Sequence, residues 1–143
     1  MLDAIFQVID ENREVYIREL QALCRQPSIG VSGEGMTQTA DMVEQIVGKT
    51  EARTEQIVTD AYPVVLGELS GADSRWINLY NHYDVQPPDP VEAWTSDPFG
   101  AEIRDGVLYA RGAADDKGEL LSRVFAVDAW RQVHGRPPVG VRF

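Results

Sequence analysis

The spacing of apolar residues changes near Thr54 in this chain of 143 residues. Before that point, apolar side chains recur at three- and four-residue steps over residues 2–25 and again over residues 36–48, as they do in amphipathic helices. After it, short β-branched and aromatic runs at residues 56–59, 62–69 and 76–80 are typical of strands. This order predicts an α/β fold in which helices pack on a mixed sheet.

The second half of the chain continues the alternation. The dipeptide Asp105-Gly106 lies between two short strand-like runs and predicts a small hairpin. A helix is predicted over residues 117–134, because Gly135 and two prolines directly follow its apolar face. Residues 139–143 alternate again, and we expect them to begin a further strand.

Composition excludes several classes of partner. The chain has 13 Lys plus Arg against 23 Asp plus Glu, a net charge of −10 that argues against nucleic acid and against an anionic membrane surface. Its apolar runs are far shorter than the roughly 20 residues that span a bilayer. An acid, Asp3, stands where a secretory signal carries a basic residue, which predicts a cytoplasmic protein. The single cysteine, Cys24, fits the buried side of a helix better than a catalytic thiol.

One candidate site directly follows the predicted strand over residues 76–80. His82 and Asp84 project on the same side of an extended chain, at the end of a strand where α/β sheets keep their sites. An imidazole there can bind a metal while the carboxylate fixes the orientation of the ring. The alternative is a histidine whose hydrogen bond to a neighbouring Asp is purely structural, and this short pattern alone leaves both interpretations open.

A second candidate site lies in the small-residue segment before the last predicted helix. Asp115 and Asp116 enter this segment, and a carboxylate here can bridge two divalent cations with its two oxygens. The alternative is an N-cap, in which the carboxylate accepts backbone N–H bonds at the start of the helix. For Asp116 the cap is the favoured interpretation.

An aromatic loop over residues 94–99 lies between these two segments. It is either a wall of a pocket or a loop held in place by burial of Trp94 and Phe99. A serine nucleophile is disfavoured because no Gly-x-Ser-x-Gly elbow occurs. The other histidine, His134, falls at the end of a predicted helix, where it needs no catalytic role.

Taken together and in order, four segments resemble one known family. They are His-Tyr-Asp-Val-Gln-Pro at residues 82–87, the loop at 94–99, the Asp105-Gly106 turn, and Ala-Arg-Gly-Ala-Ala-Asp-Asp-Lys-Gly at residues 110–118. They resemble the co-catalytic dizinc metallopeptidases that include carnosinase-like dipeptidases, acetylornithine deacetylase and succinyl-diaminopimelate desuccinylase. The resemblance extends over the whole chain.

The resemblance implies a role for three residues. His82 would bind one zinc ion, Asp115 would bridge two zinc ions and be followed by a non-proline cis peptide, and Asp84 would be the catalytic-site residue that orients His82. It implies zinc-dependent hydrolysis of a small peptide or an N-acyl amino acid, with cobalt or manganese as alternative metals and a possible homodimer in the complete protein. It assigns no substrate-binding residue.

This sequence departs from the family in two respects. Asn81 and Ala110 stand where glycine is frequent, and the catalytic Glu, the remaining ligands and the lid or dimerisation domain would all follow Phe143. Residues 1–143 are therefore expected to be the N-terminal portion of a single catalytic domain, inactive by itself. The alternative is a naturally short, non-enzymatic module that binds a complementing chain along an edge strand at residues 139–143.

Overall fold

The computed structural model describes residues 2–143, in which four α-helices and six strands form. The helices are α1 (Leu2–Glu11), α2 (Arg13–Arg25), α3 (Met36–Gly48) and α4 (Lys117–His134). The bounds of α3 and α4 confirm the predicted helices, including the end of α4 before Gly135. A single turn of 3-10 helix covers Val91–Ala93.

The prediction of one continuous helix over residues 2–25 is wrong, because the helix is interrupted at Asn12. The backbone there has φ −96° and ψ 3°, and the Asn12 side-chain amide donates a hydrogen bond to the Val8 carbonyl at 2.9 Å. An asparagine side chain that bonds the preceding turn competes with the regular helical pattern. The two short helices therefore meet α4 separately.

The main sheet has four strands in the order β1-β2-β6-β3. Strand β1 (Arg53–Ile57) and β2 (Val64–Leu69) form an antiparallel hairpin, whereas β6 (Gly140–Arg142) runs antiparallel to β2 and parallel to β3 (Trp76–Asn78). The predicted α/β class with helices on a mixed sheet is thus confirmed. Strands β4 (Glu102–Arg104) and β5 (Val107–Tyr109) form the separate hairpin expected around Asp105-Gly106.

The expectation that residues 139–143 provide an unpaired edge is wrong. Strand β6 lies inside the sheet, where Val141 pairs with Leu69 on one side and with Ile77 on the other. Its position follows from its apolar character, since Val141 is only 5% exposed. The edge strands are β1 and β3, and β3 ends at Asn78 rather than at Tyr80.

The core lies between the sheet and helices α2, α3 and α4. Helix α3 approaches β2 so closely at Gly67 that a Cβ atom there would lie 2.4 Å from Val47 Cγ1. Cys24 is fully buried, as its helical position predicts. The buried apolar cluster comprises Leu23, Val43, Ile46, Val47, Ala52, Leu120, Leu121 and Val124.

No helix among residues 2–143 combines the length and the apolar content needed to cross a bilayer.

Candidate metal centre

Two loops meet at the end of strand β3. One follows β3 and carries His82, and the other precedes α4 and carries Asp115. Although the two residues are 33 positions apart in the chain, His82 Nε2 lies 3.0 Å from Asp115 Oδ1. The fold therefore brings together the two residues for which the sequence predicted metal binding.

The His82 ring is held from its other nitrogen. Its Nδ1 lies 3.0 Å from the Asp84 carbonyl oxygen and 3.1 Å from Asp84 Oδ1. Both of these atoms are acceptors, and so is Asp115 Oδ1, so all three contacts are satisfied when both ring nitrogens carry a proton, with Nδ1–H donating to Asp84 and Nε2–H donating to Asp115. Partial burial lowers the pKa of His82, but the bond to the Asp84 carbonyl and the charges of Asp84, Asp116 and Asp115 outweigh it, so the pKa is raised.

Asp115 presents its carboxylate to solvent. Its side chain is 84% exposed, compared with 39% for His82. The peptide bond between Asp115 and Asp116 is cis, as the family resemblance implied. Its exposure leaves the Asp115 carboxylate accessible to a ligand from solvent.

The predicted N-cap role of Asp116 is wrong. Asp116 occupies the N-cap position of α4 but makes no side-chain cap bond. Instead its Oδ2 accepts hydrogen bonds from Asn81 Nδ2 at 2.8 Å and from the His82 backbone N–H at 3.1 Å. The Asp116 carboxylate thus bonds the neighbouring loop instead of the N–H groups of the first helical turn, and the N–H of Lys117 bonds the Gly112 carbonyl at 3.0 Å.

Sequence reasoning missed the role of Lys117. This side chain is fully buried, and its Nζ donates hydrogen bonds to the carbonyls of Leu23 at 3.0 Å and Gln26 at 2.7 Å, at the end of α2. Burial lowers its pKa to about 8, against a smaller opposing effect of Cys24. A lysine is ordinarily exposed, so the sequence carries no signal for this anchor.

A cavity of about 420 Å³ lies beside His82. Its walls come from α3, α4, β2 and the segment after β3, and they include Met36, Val43, Tyr62, Asn81, His82 and Asp84. The aromatic loop contributes elsewhere: Trp94 is half-buried, its Nε1 donates to the Pro88 carbonyl at 2.8 Å, and the Arg111 guanidinium lies over its ring. These contacts favour the interpretation of residues 94–99 as a loop held by its own packing.

The donor atoms present fit part of a zinc site. Imidazole nitrogen and carboxylate oxygen are both ordinary zinc ligands, and the two atoms point at a common region. Zinc usually takes about four ligands, and residues 2–143 contain no group of three or more His, Cys, Asp and Glu side chains arranged to hold a metal. This chain thus offers two donors toward a larger ligand set.

Part of this chain is similar in sequence to known proteins. Residues 78–143 match the model of peptidase family M20/M25/M40. Over these residues the chain matches part of a peptidase M20 family domain. A 64-residue stretch, 45% of the chain, is 52% identical to a succinyl-diaminopimelate desuccinylase of Xanthomonas euvesicatoria and aligns with 17% of that protein.

Solved structures of this family superpose on most of the chain. An M20 family metallo-carboxypeptidase from Sulfolobus solfataricus superposes on 89% of the chain with a TM-score of 0.81 and 35% identity. Human carnosine dipeptidase 1 superposes on 99% of it with a TM-score of 0.88 and 28% identity. The chain spans only 29% and 33% of those two proteins, respectively, less than two thirds of their length.

Proposed function

We propose that this chain is the N-terminal portion of the catalytic domain of a zinc-dependent hydrolase that cleaves peptide or N-acyl amide bonds. The observation that carries the proposal is the 3.0 Å approach of His82 Nε2 to Asp115 Oδ1, with His82 Nδ1 held by Asp84. The similarity to a desuccinylase and to solved peptidases of the M20 family supports the same class of reaction.

Each residue has a distinct role in this proposal. His82 would hold one zinc ion through Nε2, and Asp115 would give one carboxylate oxygen to each of two ions. Asp84 would keep the proton on Nδ1, so that Nε2 retains its lone pair for the metal. When bound, the two ions would activate a water molecule and polarise the scissile carbonyl. Cobalt or manganese are alternative metals with the same donor preference for nitrogen and oxygen.

The chain alone is expected to be inactive. It supplies two donors, and the general base and the remaining ligands would come from polypeptide outside these 143 residues. For the complete protein we propose a small peptide or N-acyl amino acid as substrate, a cytoplasmic location and possible homodimer formation. The absence of nucleic-acid and membrane partners remains a prediction from the acidic charge.

A second candidate function is a module that binds a complementing chain. The open edge of β3 favours it, because Trp76 is 43% exposed and Ile77 is 47% exposed along an edge with unpaired backbone groups. The occupant would be a polypeptide that supplies the remaining strands of the catalytic domain. The intact mass of the natural gene product separates the two candidates, since a mass near 15.9 kDa favours the module and a several-fold larger mass favours the hydrolase.

Zinc titration of this chain by calorimetry tests the proposed ligands. His82→Ala and Asp115→Ala are expected to abolish or greatly weaken zinc binding. His134→Ala is the matched control, because this second histidine lies at the end of α4 and packs against Trp130. The proposal is wrong if the His82 variant binds zinc as tightly as the unmodified chain, or if only the His134 variant loses it.

A further inference from the structure

The residue before His82 joins the two loops of the candidate centre. The side-chain amide of Asn81 reaches across to Asp116 Oδ2 at 2.8 Å. This contact lies beside both proposed metal donors.

The same carboxylate oxygen makes a second bond. Asp116 Oδ2 also accepts a hydrogen bond from the backbone N–H of His82 at 3.1 Å, so this one oxygen binds both the Asn81 side chain and the His82 backbone. Asn81 and Asp116 are both half-buried. Hydrogen bonds to a charged acceptor are stronger than neutral ones, and partial burial limits competition from water.

The residue that accepts both bonds, Asp116, lies next to a firmly held residue in the chain. Asp116 directly precedes Lys117, whose ammonium group is buried and bonded to two carbonyls at the end of α2. On the other side, Asp116 directly follows Asp115. The carboxylate of Asp116 thus connects an anchored helix start with the His82 backbone and with the residue that bears the second proposed donor.

We propose that Asn81 and Asp116 form a hydrogen-bonded clamp that positions His82 Nε2 beside Asp115 before a metal binds. The inference rests on the proposed function, because it assigns positioning residues to the same site. A preset pair of donors loses less conformational freedom when a metal arrives than two independently mobile loops would.

Amide hydrogen exchange measured by NMR on the metal-free chain tests the clamp directly. Asp116→Ala removes both bonds and should accelerate exchange of the His82 amide about tenfold, the effect of losing one ordinary hydrogen bond. Asp116→Asn should accelerate the exchange less than Asp116→Ala, because the amide oxygen can still accept both bonds, although more weakly than the charged carboxylate. Zinc affinity should follow the same order, with an approximately tenfold loss in Asp116→Ala, as is typical for groups that orient a ligand.

Two further variants complete the test. Asp97→Ala is the matched control, because Asp97 Oδ1 also accepts a backbone N–H, that of Phe99 at 2.9 Å, but joins no second loop. It should leave the exchange of the His82 amide unchanged. Asn81→Ala removes only one of the two clamp bonds and should accelerate His82 exchange less than Asp116→Ala. It also decides the question if Asp116→Ala fails to fold.

The outcomes separate the clamp from the proposed function. Unchanged His82 exchange in folded Asp116→Ala, or in Asn81→Ala when Asp116→Ala does not fold, overturns the clamp. Equal losses in Asp116→Asn and Asp116→Ala also overturn it, because they assign the effect to charge rather than to hydrogen-bond acceptance. If the unmodified chain binds no zinc, the proposed metal site of the isolated chain fails, whereas the exchange data still decide whether the clamp exists.

Discussion

Asp115 lies in the loop before α4 and Lys117, two residues later, begins that helix, yet the Lys117 side chain is fully buried and that of Asp115 is 84% exposed. The lysine is bonded to the end of α2, whereas the aspartate faces His82 on the open side of the loop. The carbonyl groups at the end of a helix carry partial negative charge, which explains why the ammonium group is held there. One end of this short segment is thus an anchor, and the other is available to a ligand.

The contrast predicts that the anchor determines stability. Lys117→Met should lower the free energy of unfolding by about 3 kcal/mol, because two carbonyls lose a charged donor in a buried environment. Chemical denaturation of both proteins measures this difference. Lys49→Met is the control, since Lys49 is 55% exposed and pairs with Glu19 at the surface. Such a pair contributes about 0 to 1 kcal/mol, and equal losses in the two variants would remove Lys117 from the role of anchor.

The reactivity of Cys24 reports on the same anchored region. Burial raises the pKa of the Cys24 thiol to about 11 from its ordinary value of 9.0, although nearby Lys117 opposes the shift. The thiolate is the reactive species, so its fraction at pH 8 is about 100-fold lower than in a free cysteine of ordinary pKa. Alkylation at pH 8 should be at least that much slower in the folded chain than in concentrated urea, and it should accelerate as the pH rises toward 11. Similar rates in both solvents would show that the end of α2 opens readily.

Substitution of two glycines tests how tightly the loop before α4 packs against Val85 and Lys117. Gly112 has φ +86°, and a Cβ atom there would lie 2.7 Å from Val85 Cγ1 and 3.2 Å from Lys117 Cδ. Gly106 has a similar φ of +79° but no heavy atom near the added Cβ. Gly112→Ala should therefore cost about 2 kcal/mol through strain and overpacking, and Gly106→Ala about 1 kcal/mol through strain alone. Thermal unfolding of both variants measures the difference, and equal costs would mean that the loop moves to accommodate the methyl group.

The sequence predicts those features of this region that depend on neighbouring residues. Gly48 and Gly135 mark the ends of two helices, and Asp105-Gly106 marks the hairpin; the structure confirms all three. The ordered motifs that resemble a known family indicate His82 and Asp115 as candidate metal donors, and the fold brings these two residues together.

The remaining features depend on residues that are distant in the chain. The buried Lys117 ammonium group donates to carbonyls up to 94 residues away in the chain. The Asp116 carboxylate accepts a hydrogen bond from Asn81, 35 residues earlier, instead of capping the helix. No local pattern encodes either contact. Asn12 is different, because its side chain bonds a carbonyl only four residues earlier. The interruption of the helix at this asparagine is therefore a local effect, but the spacing of apolar residues does not reveal it.

The smallest change in stability is expected at the exposed residue, Asp115. Asp115→Ala should alter the free energy of unfolding by no more than about 0.5 kcal/mol, since its carboxylate is largely solvated and its contact with His82 lies near the surface. The same variant should lower zinc affinity at least tenfold if the carboxylate is a ligand. Denaturation and zinc titration of one preparation measure both quantities. A large loss of stability would show that Asp115 belongs to the anchor, whereas a small loss together with unchanged zinc affinity would leave the exposed carboxylate without the proposed role. Only the combination of intact folding and weakened metal binding assigns the two ends of this loop to different tasks.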